Sequence, residues 1–95
     1  MEVKVVKEDQ KSLDLEISNI DQSILQIVQE ELLSDDSVEF AAFSKPHPLL
    51  RVQTLSLIVK TGNPKKVFAN ACIRAVDKAK QLQDDIAKLL FINGD

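Results

Sequence analysis

Tryptophan and tyrosine are absent from this chain, and four phenylalanines are its only aromatic residues. Proteins that grip single-stranded nucleic acid stack bases on aromatic rings, so that class of function lacks its side chains here. The core must then be aliphatic. Glycine occurs only twice, too seldom for the multi-glycine loops that bring backbone amides against the phosphates of a nucleotide. A single histidine and a single cysteine fall short of the ligands a zinc site takes, and a lone cysteine cannot close an intrachain disulfide. Positive charge is also in deficit: twelve Lys and Arg stand against fifteen Asp and Glu, for a formal net charge of -3. No general field draws in a polyanion, and direct nucleic-acid binding is disfavoured. The densest basic run, Lys65-Lys66 after Lys60, is short and reads as solvated surface. Neither a charged-then-apolar leader nor an apolar run of membrane-spanning length is seen, and there are no low-complexity tracts or repeats. The chain reads as a soluble, cytoplasmic protein with no membrane partner.

What is present is a chain of 95 residues, 44% of them hydrophobic, which supports one core and one domain over residues 1–95. Met1 to Lys7 alternates weakly through Val3 and Val5, and Ser12 to Ser18 alternates cleanly, with Leu13, Leu15 and Ile17 opposed by Asp14 and Glu16. A period of two predicts two half-buried strands, joined as a hairpin by Glu8-Asp9-Gln10-Lys11. From Asp21 the period changes. Ile20, Ile24, Ile27, Val28 and Leu32 fall on one side of a helix, with Leu25 widening that side, Asp21 as N-cap, and Ser34-Asp35-Asp36-Ser37 as the stop. A third strand is predicted over Val38 to Phe43 and a fourth over Val52 to Lys60, with Leu55, Leu57 and Val59 on one face. Asn63 followed by Pro64 then opens a second helix, since Asn caps and Pro at the first helical position loses only a donor that was unpaired anyway.

That second helix can run to about Phe91. Along it Phe68, Cys72, Ala75, Ala79, Leu82, Ile86 and Leu89 recur at spacings of four and three, a heptad seam. With the flanking Val67, Ala69, Ala71, Ile73, Val76, Ala87, Leu90 and Phe91, the apolar arc reaches about 200°, roughly twice what packing on one sheet needs. The helix is also about 40 Å long, against about 17 to 27 Å for a strand of five to eight residues. Part of it should overhang its own sheet and pack on something else. This is the sequence's own argument for a protein partner.

The polar candidates for chemistry do not converge. His47 sits alone between Pro46 and Pro48, and Cys72 occupies a seam position that suits a small buried hydrophobe. Glu30-Glu31, Asp35-Asp36 and Asp84-Asp85 are adjacent acidic pairs, but neighbours in a helix point about 100° apart, and solvated faces are the reading for them. No catalytic, cofactor-binding or metal site is assigned, and no cofactor is expected. The fold predicted is α+β, in the order β-β-α-β-β-α, with a small sheet covered by two helices.

The order of three segments carries a family resemblance. They are Val38-Glu39-Phe40-Ala41-Ala42-Phe43, the corner Pro46-His47-Pro48-Leu49, and Gly62-Asn63-Pro64 before a long helix. With the preceding helix, this arrangement resembles subunit L of archaeal DNA-directed RNA polymerase, the counterpart of the small dimerising subunit in eukaryotic polymerases and of the amino-terminal domain of the bacterial alpha subunit. The resemblance covers nearly the whole chain. It departs from the family pattern at Asp21-Gln22-Ser23-Ile24-Leu25-Gln26-Ile27-Val28, where Gln22 and Leu25 stand in place of a histidine and a glycine. The resemblance implies an alpha-subunit dimerisation-domain-like fold with the Pro46-His47-Pro48 corner as a structural turn. It implies a non-catalytic assembly subunit that pairs with the larger D subunit of the polymerase and forms, with other small subunits, the platform for the large catalytic subunits. The partner-interface candidates are Ile24, Ile27, Val28 and Leu32 from the first helix and Phe68, Cys72, Ala75, Ala79 and Leu82 from the last. One sequence does not divide them between the chain's own sheet and the partner. Two other readings remain open: a free-standing homodimeric module for a small molecule or peptide, and a small enzyme of the pterin-dehydratase type. The enzyme would want several histidines in one pocket.

Overall fold

The clean alternation from Ser12 to Ser18 becomes the second strand of a four-stranded sheet. The computed structural model describes residues 2–44 and 52–92; the Pro46-His47-Pro48 corner and the Asn93-Gly94-Asp95 tail lie outside them. The elements follow in the order β1 (Glu2–Glu8), β2 (Ser12–Ser18), α1 (Gln22–Ser34), β3 (Val38–Phe43), β4 (Val52–Val59) and α2 (Pro64–Ile92). Every sheet pairing is antiparallel, and the strand order is β1-β2-β4-β3. β2 and β4 are therefore central, which is why their inward residues are the purest aliphatic alternation in the chain. Leu13 pairs with Leu57, Leu15 with Leu55 and Ile17 with Gln53, all on one face.

That face carries both helices. Its sheet contribution to the core is Leu13, Leu15, Ile17, Ala41, Leu55, Leu57 and Val59, roofed by Leu25, Val28 and Leu32 of α1 and by Val67, Phe68, Ala71 and Ala75 of α2. Ala71 and Ala75 have no exposed surface, and side chains this small let the α2 backbone come close to the layer beneath it. α2 packs on β2, β4 and α1, whereas α1 packs on β3 and α2.

β1 departs from the sequence expectation. Its alternation predicts a half-buried strand, yet all seven of its residues are exposed. Val3 and Val5 pair with Ile17 and Leu15 and so share the helix-bearing face, but neither helix covers them. Periodicity tells which residues share a face and not whether anything lies over that face.

Local chemistry sets the helix starts. Asp21 accepts a hydrogen bond from the Ser23 amide at 2.8 Å, and Asn63 Oδ1 accepts from the amides of Lys65 and Lys66 at 2.9 and 3.3 Å. Pro64 then occupies the first helical position of α2 without losing a bond. Gly62, at φ 86°, takes the left-handed conformation that turns the chain from β4 into that cap.

Candidate protein–protein interface

α2 divides along its length. In the first three turns Val67, Phe68, Ala71 and Ala75 are buried against the sheet and α1. Beyond Ala79 the same stripe continues over open space: Leu82 is 59% exposed, Ile86 47% and Leu89 66%. The cause is length. Twenty-nine residues make about 43 Å of helix, whereas the eight residues of β4 span about 27 Å. The helix outruns its sheet by several turns without becoming polar.

α1 meets this overhang. Ser23, Ile24 and Ile27 of α1 and Ala79, Leu82, Gln83 and Ile86 of α2 line an open, predominantly apolar groove of about 320 Å³. A second hollow lies beside it, between the start of α1 and the flank of α2, lined by Ile20, Ile24, Val28, Cys72 and Val76 among others. Of the candidates named from sequence, Val28, Leu32, Phe68 and Ala75 lie in the chain's own core, and Ile24, Ile27 and Cys72 are partly buried against it. Ala79 is half-buried and Leu82 is exposed. The structure thus brings Ile24, Ile27, Ala79 and Leu82 together on one surface, with the buried four beneath as its support.

An ion-pair cluster links the two helices. Glu31 reads in sequence as half of a solvated acidic pair, but its residue is 7% exposed, while Glu30 is on the surface. Its Oε2 accepts from Arg74 Nε at 2.9 Å, and its Oε1 pairs with Lys78 Nζ. The Arg74 guanidinium also reaches Asp35 Oδ2 at 3.8 Å. The cluster joins the end of α1 to the middle of α2, next to where the groove begins. No sequence rule separates Glu31 from Glu30, because its partners lie 43 positions or more away.

The hydrogen bond from Lys78, and then that from Arg74, hold the Glu31 carboxyl below its ordinary pKa. A carboxylate whose pKa is depressed by folding stabilises the native state fully above its unfolded pKa and loses that contribution as pH falls through the folded value. Glu31→Gln should therefore lower stability at neutral pH, and the gap from the parent chain should close on acidification. Urea melts at a series of pH values check this; a gap independent of pH would contradict it.

Gln22 and Leu25, the two departures from the family pattern, both have structural roles. Gln22 Nε2 donates to Gln53 Oε1 at 3.0 Å, and Gln53 Nε2 donates to the Ser44 carbonyl at 3.1 Å. This chain of amides ties the first turn of α1 to β4 and to the end of β3, and it lets Gln53 sit 6% exposed without an unmet polar group. Leu25, 4% exposed, fills the core. Sequence reading missed Gln53. The only signal was its place among the inward positions of β4.

Burial pushes the Cys72 thiol pKa up, which disfavours the thiolate a nucleophile needs. Among the described residues no group of three or more His, Cys, Asp or Glu could hold a metal ion, and no helix is long and apolar enough to cross a membrane.

An apolar helix pair that its own sheet leaves partly uncovered agrees with the proteins this chain is similar to. The family model described as "RNA polymerase Rpb3/Rpb11 dimerisation domain" matches residues 12–85. The chain is 31% identical over 90 residues to DNA-directed RNA polymerase subunit Rpo11 of Sulfolobus acidocaldarius, covering 94% of this chain and 100% of that one. It is 38% identical over 79 residues to Rpo11 of Korarchaeum cryptofilum, covering 82% and 81%. The crystal structure of DNA-directed RNA polymerase subunit L from Thermoplasma acidophilum is similar, with a TM-score of 0.65 and 29% identity over 94% of this chain and 84% of that one. The match takes in β2, α1, β3, β4 and α2 as far as Asp85, part-way along the overhang, and on it the chain belongs to the Rpb3/Rpb11 dimerisation-domain family of RNA polymerase.

Proposed function

We propose that the chain is a non-catalytic assembly subunit of DNA-directed RNA polymerase that works in the cytoplasm. It pairs through the α1/α2 face with the larger D subunit of the polymerase as a pseudo-twofold heterodimer. That dimer, with other small subunits, is the platform on which the large catalytic subunits are organised, and nucleotidyl transfer and its magnesium ions belong to those large subunits. The observation that carries this reading is the stripe of Leu82, Ile86 and Leu89, 47–66% exposed on a helix whose first half is core. Permanent interfaces are more apolar than ordinary surface and bury more than about 2,000 Å² in total. The residues given to the partner are Ile24, Ile27, Cys72, Ala79 and Leu82, with Ile86 and Leu89 continuing the stripe.

Ala79 is the position to test. It lies where α1 and the overhang meet, so an arginine there would place an unpaired charge inside the paired state, at a cost of about 3 to 5 kcal/mol. In the free chain the long side chain can reach water. Ala79→Arg should weaken binding to the D subunit by about 10²- to 10⁴-fold and shift the melting temperature of the free chain by only a few degrees. Titration by calorimetry alongside thermal melts makes the comparison; wild-type affinity would refute the assignment.

A further inference from the structure

Gln53 interrupts an aliphatic layer. Its companions on the inward side of β4 are Leu55, Leu57 and Val59, and the residue opposite it on β2 is Ile17. A polar side chain 6% exposed in such a row carries a desolvation cost that a leucine would not. Both ends of its amide are engaged, and their order is set by chemistry. The Ser44 carbonyl only accepts, so Gln53 Nε2 faces it at 3.1 Å, and Oε1 is left for a donor, Gln22 Nε2 at 3.0 Å. Ser44 is itself held to β4: its amide donates to the Thr54 carbonyl at 2.8 Å, and its Oγ accepts from the Thr54 amide at 2.9 Å.

Among the described residues, side-chain hydrogen bonds and ion pairs join α1 to the rest of the fold at two places, Gln22 in its first turn and Glu31 near its end. They lie nine positions apart, about 13 Å along the axis. Ile24 and Ile27, the isoleucines that α1 gives to the groove, fall between them. Around the axis, Gln22 and Ile24 are about 200° apart, so a bond on the Gln22 side determines how the Ile24 side is turned. The apolar contacts under α1 favour burial without a preferred direction. The amide chain, by contrast, is directional.

We infer that Gln53 is a positioning residue of the pairing face: through Gln22 it sets the rotation and axial place of α1 at which Ile24 and Ile27 meet the partner. This role rests on the proposed pairing with the D subunit and deepens it. It is a role in placement more than in holding the fold together. Gln22 is exposed, and the amide chain borders an open hollow lined also by Gln26, Gln29 and Phe43, so water takes the groups that are freed when the link is cut. Val28 and Leu32 keep α1 on the core.

Two sets of variants test this in the free chain and in the heterodimer. Gln22→Met with Gln53→Leu replaces both partners by apolar groups of similar shape, a change close to neutral for folding. The melting temperature of the free chain should stay within a few degrees while pairing weakens at least about tenfold. Gln22→Ala cuts the same link at an exposed side chain, and a double-mutant cycle with Ile24→Ala separates placement from support. Gln22→Ala should weaken pairing about tenfold in the parent chain but less than about threefold where Ile24 is already alanine, because the contact it places is gone, while the effects on folding add. Pairing at parental strength in the Gln22 variants, a loss of folding stability that matches the loss of pairing, or additive effects on affinity would overturn the inference and leave the pairing intact. Failure of the unaltered chain to bind the D subunit would overturn the pairing and this inference with it.

Discussion

A chain carrying Leu82→Asp together with Ile86→Asp should fold as the parent does and fail to pair. Both residues lie on the overhang, 59% and 47% exposed, so in the free chain the change removes little buried surface. The loss there should stay within about 1 kcal/mol, set by the poorer helix propensity of aspartate. In the complex, each substitution would forfeit burial of the half of the side chain still open in the free chain, about 0.8 to 1.5 kcal/mol, and each carboxylate would have to be desolvated beside Ile24 and Ile27. Together these effects should weaken association by more than about 10³-fold. Analytical ultracentrifugation with the D subunit, paired with melts of the free chain, separates the two quantities. Parallel loss of folding and pairing would mean that the overhang is part of the chain's own core after all.

Leu57→Ala should do the reverse and strike the fold itself. Leu57 is fully buried on the central strand β4, opposite Leu13 and Ala41, and a shortened side chain leaves a cavity that rigid neighbours on both sides cannot fill. The expected cost is about 3 kcal/mol, within the usual range of about 2 to 5. A domain of this size has only about 5 to 14 kcal/mol in total. The melting temperature should fall by roughly 12 to 20 °C. Urea denaturation of the free chain measures it, and a loss under about 1 kcal/mol would contradict the central position assigned to β4.

The two variants probe different layers, and those layers were legible to different degrees in the sequence. Leu13, Leu15 and Ile17 against Asp14 and Glu16, and Leu55, Leu57 and Val59 against Thr54 and Ser56, alternate so regularly that the buried face of β2 and β4 follows from period alone. Asn63-Pro64 marked the start of α2 because capping is local chemistry. The overhang followed from arithmetic, since a seam from Phe68 to Leu89 is longer than any strand in the chain could cover.

What the sequence hid depends on tertiary placement. β1 has the alternation of a half-buried strand, and only the positions of α1 over β3 and α2 over β2 and β4 show that Val3 and Val5 are left bare. Glu31 differs from Glu30 only because Arg74 and Lys78 come to it from another helix. Gln22 and Gln53 are unremarkable polar residues until folding sets them 3.0 Å apart. The division of the interface candidates has the same origin. Phe68 and Leu82 hold equivalent places in one seam, and one is core while the other is surface solely because the sheet ends between them.

The proposed assembly role rests on a helix that leaves the far part of its apolar seam uncovered. Purification of the tagged chain from its native lysate, with quantitative mass spectrometry of what accompanies it, addresses this without any assumption about the interface. Stoichiometric recovery of the D subunit together with the large polymerase subunits is the expected outcome. Recovery of the chain alone, or as a homodimer, would contradict it.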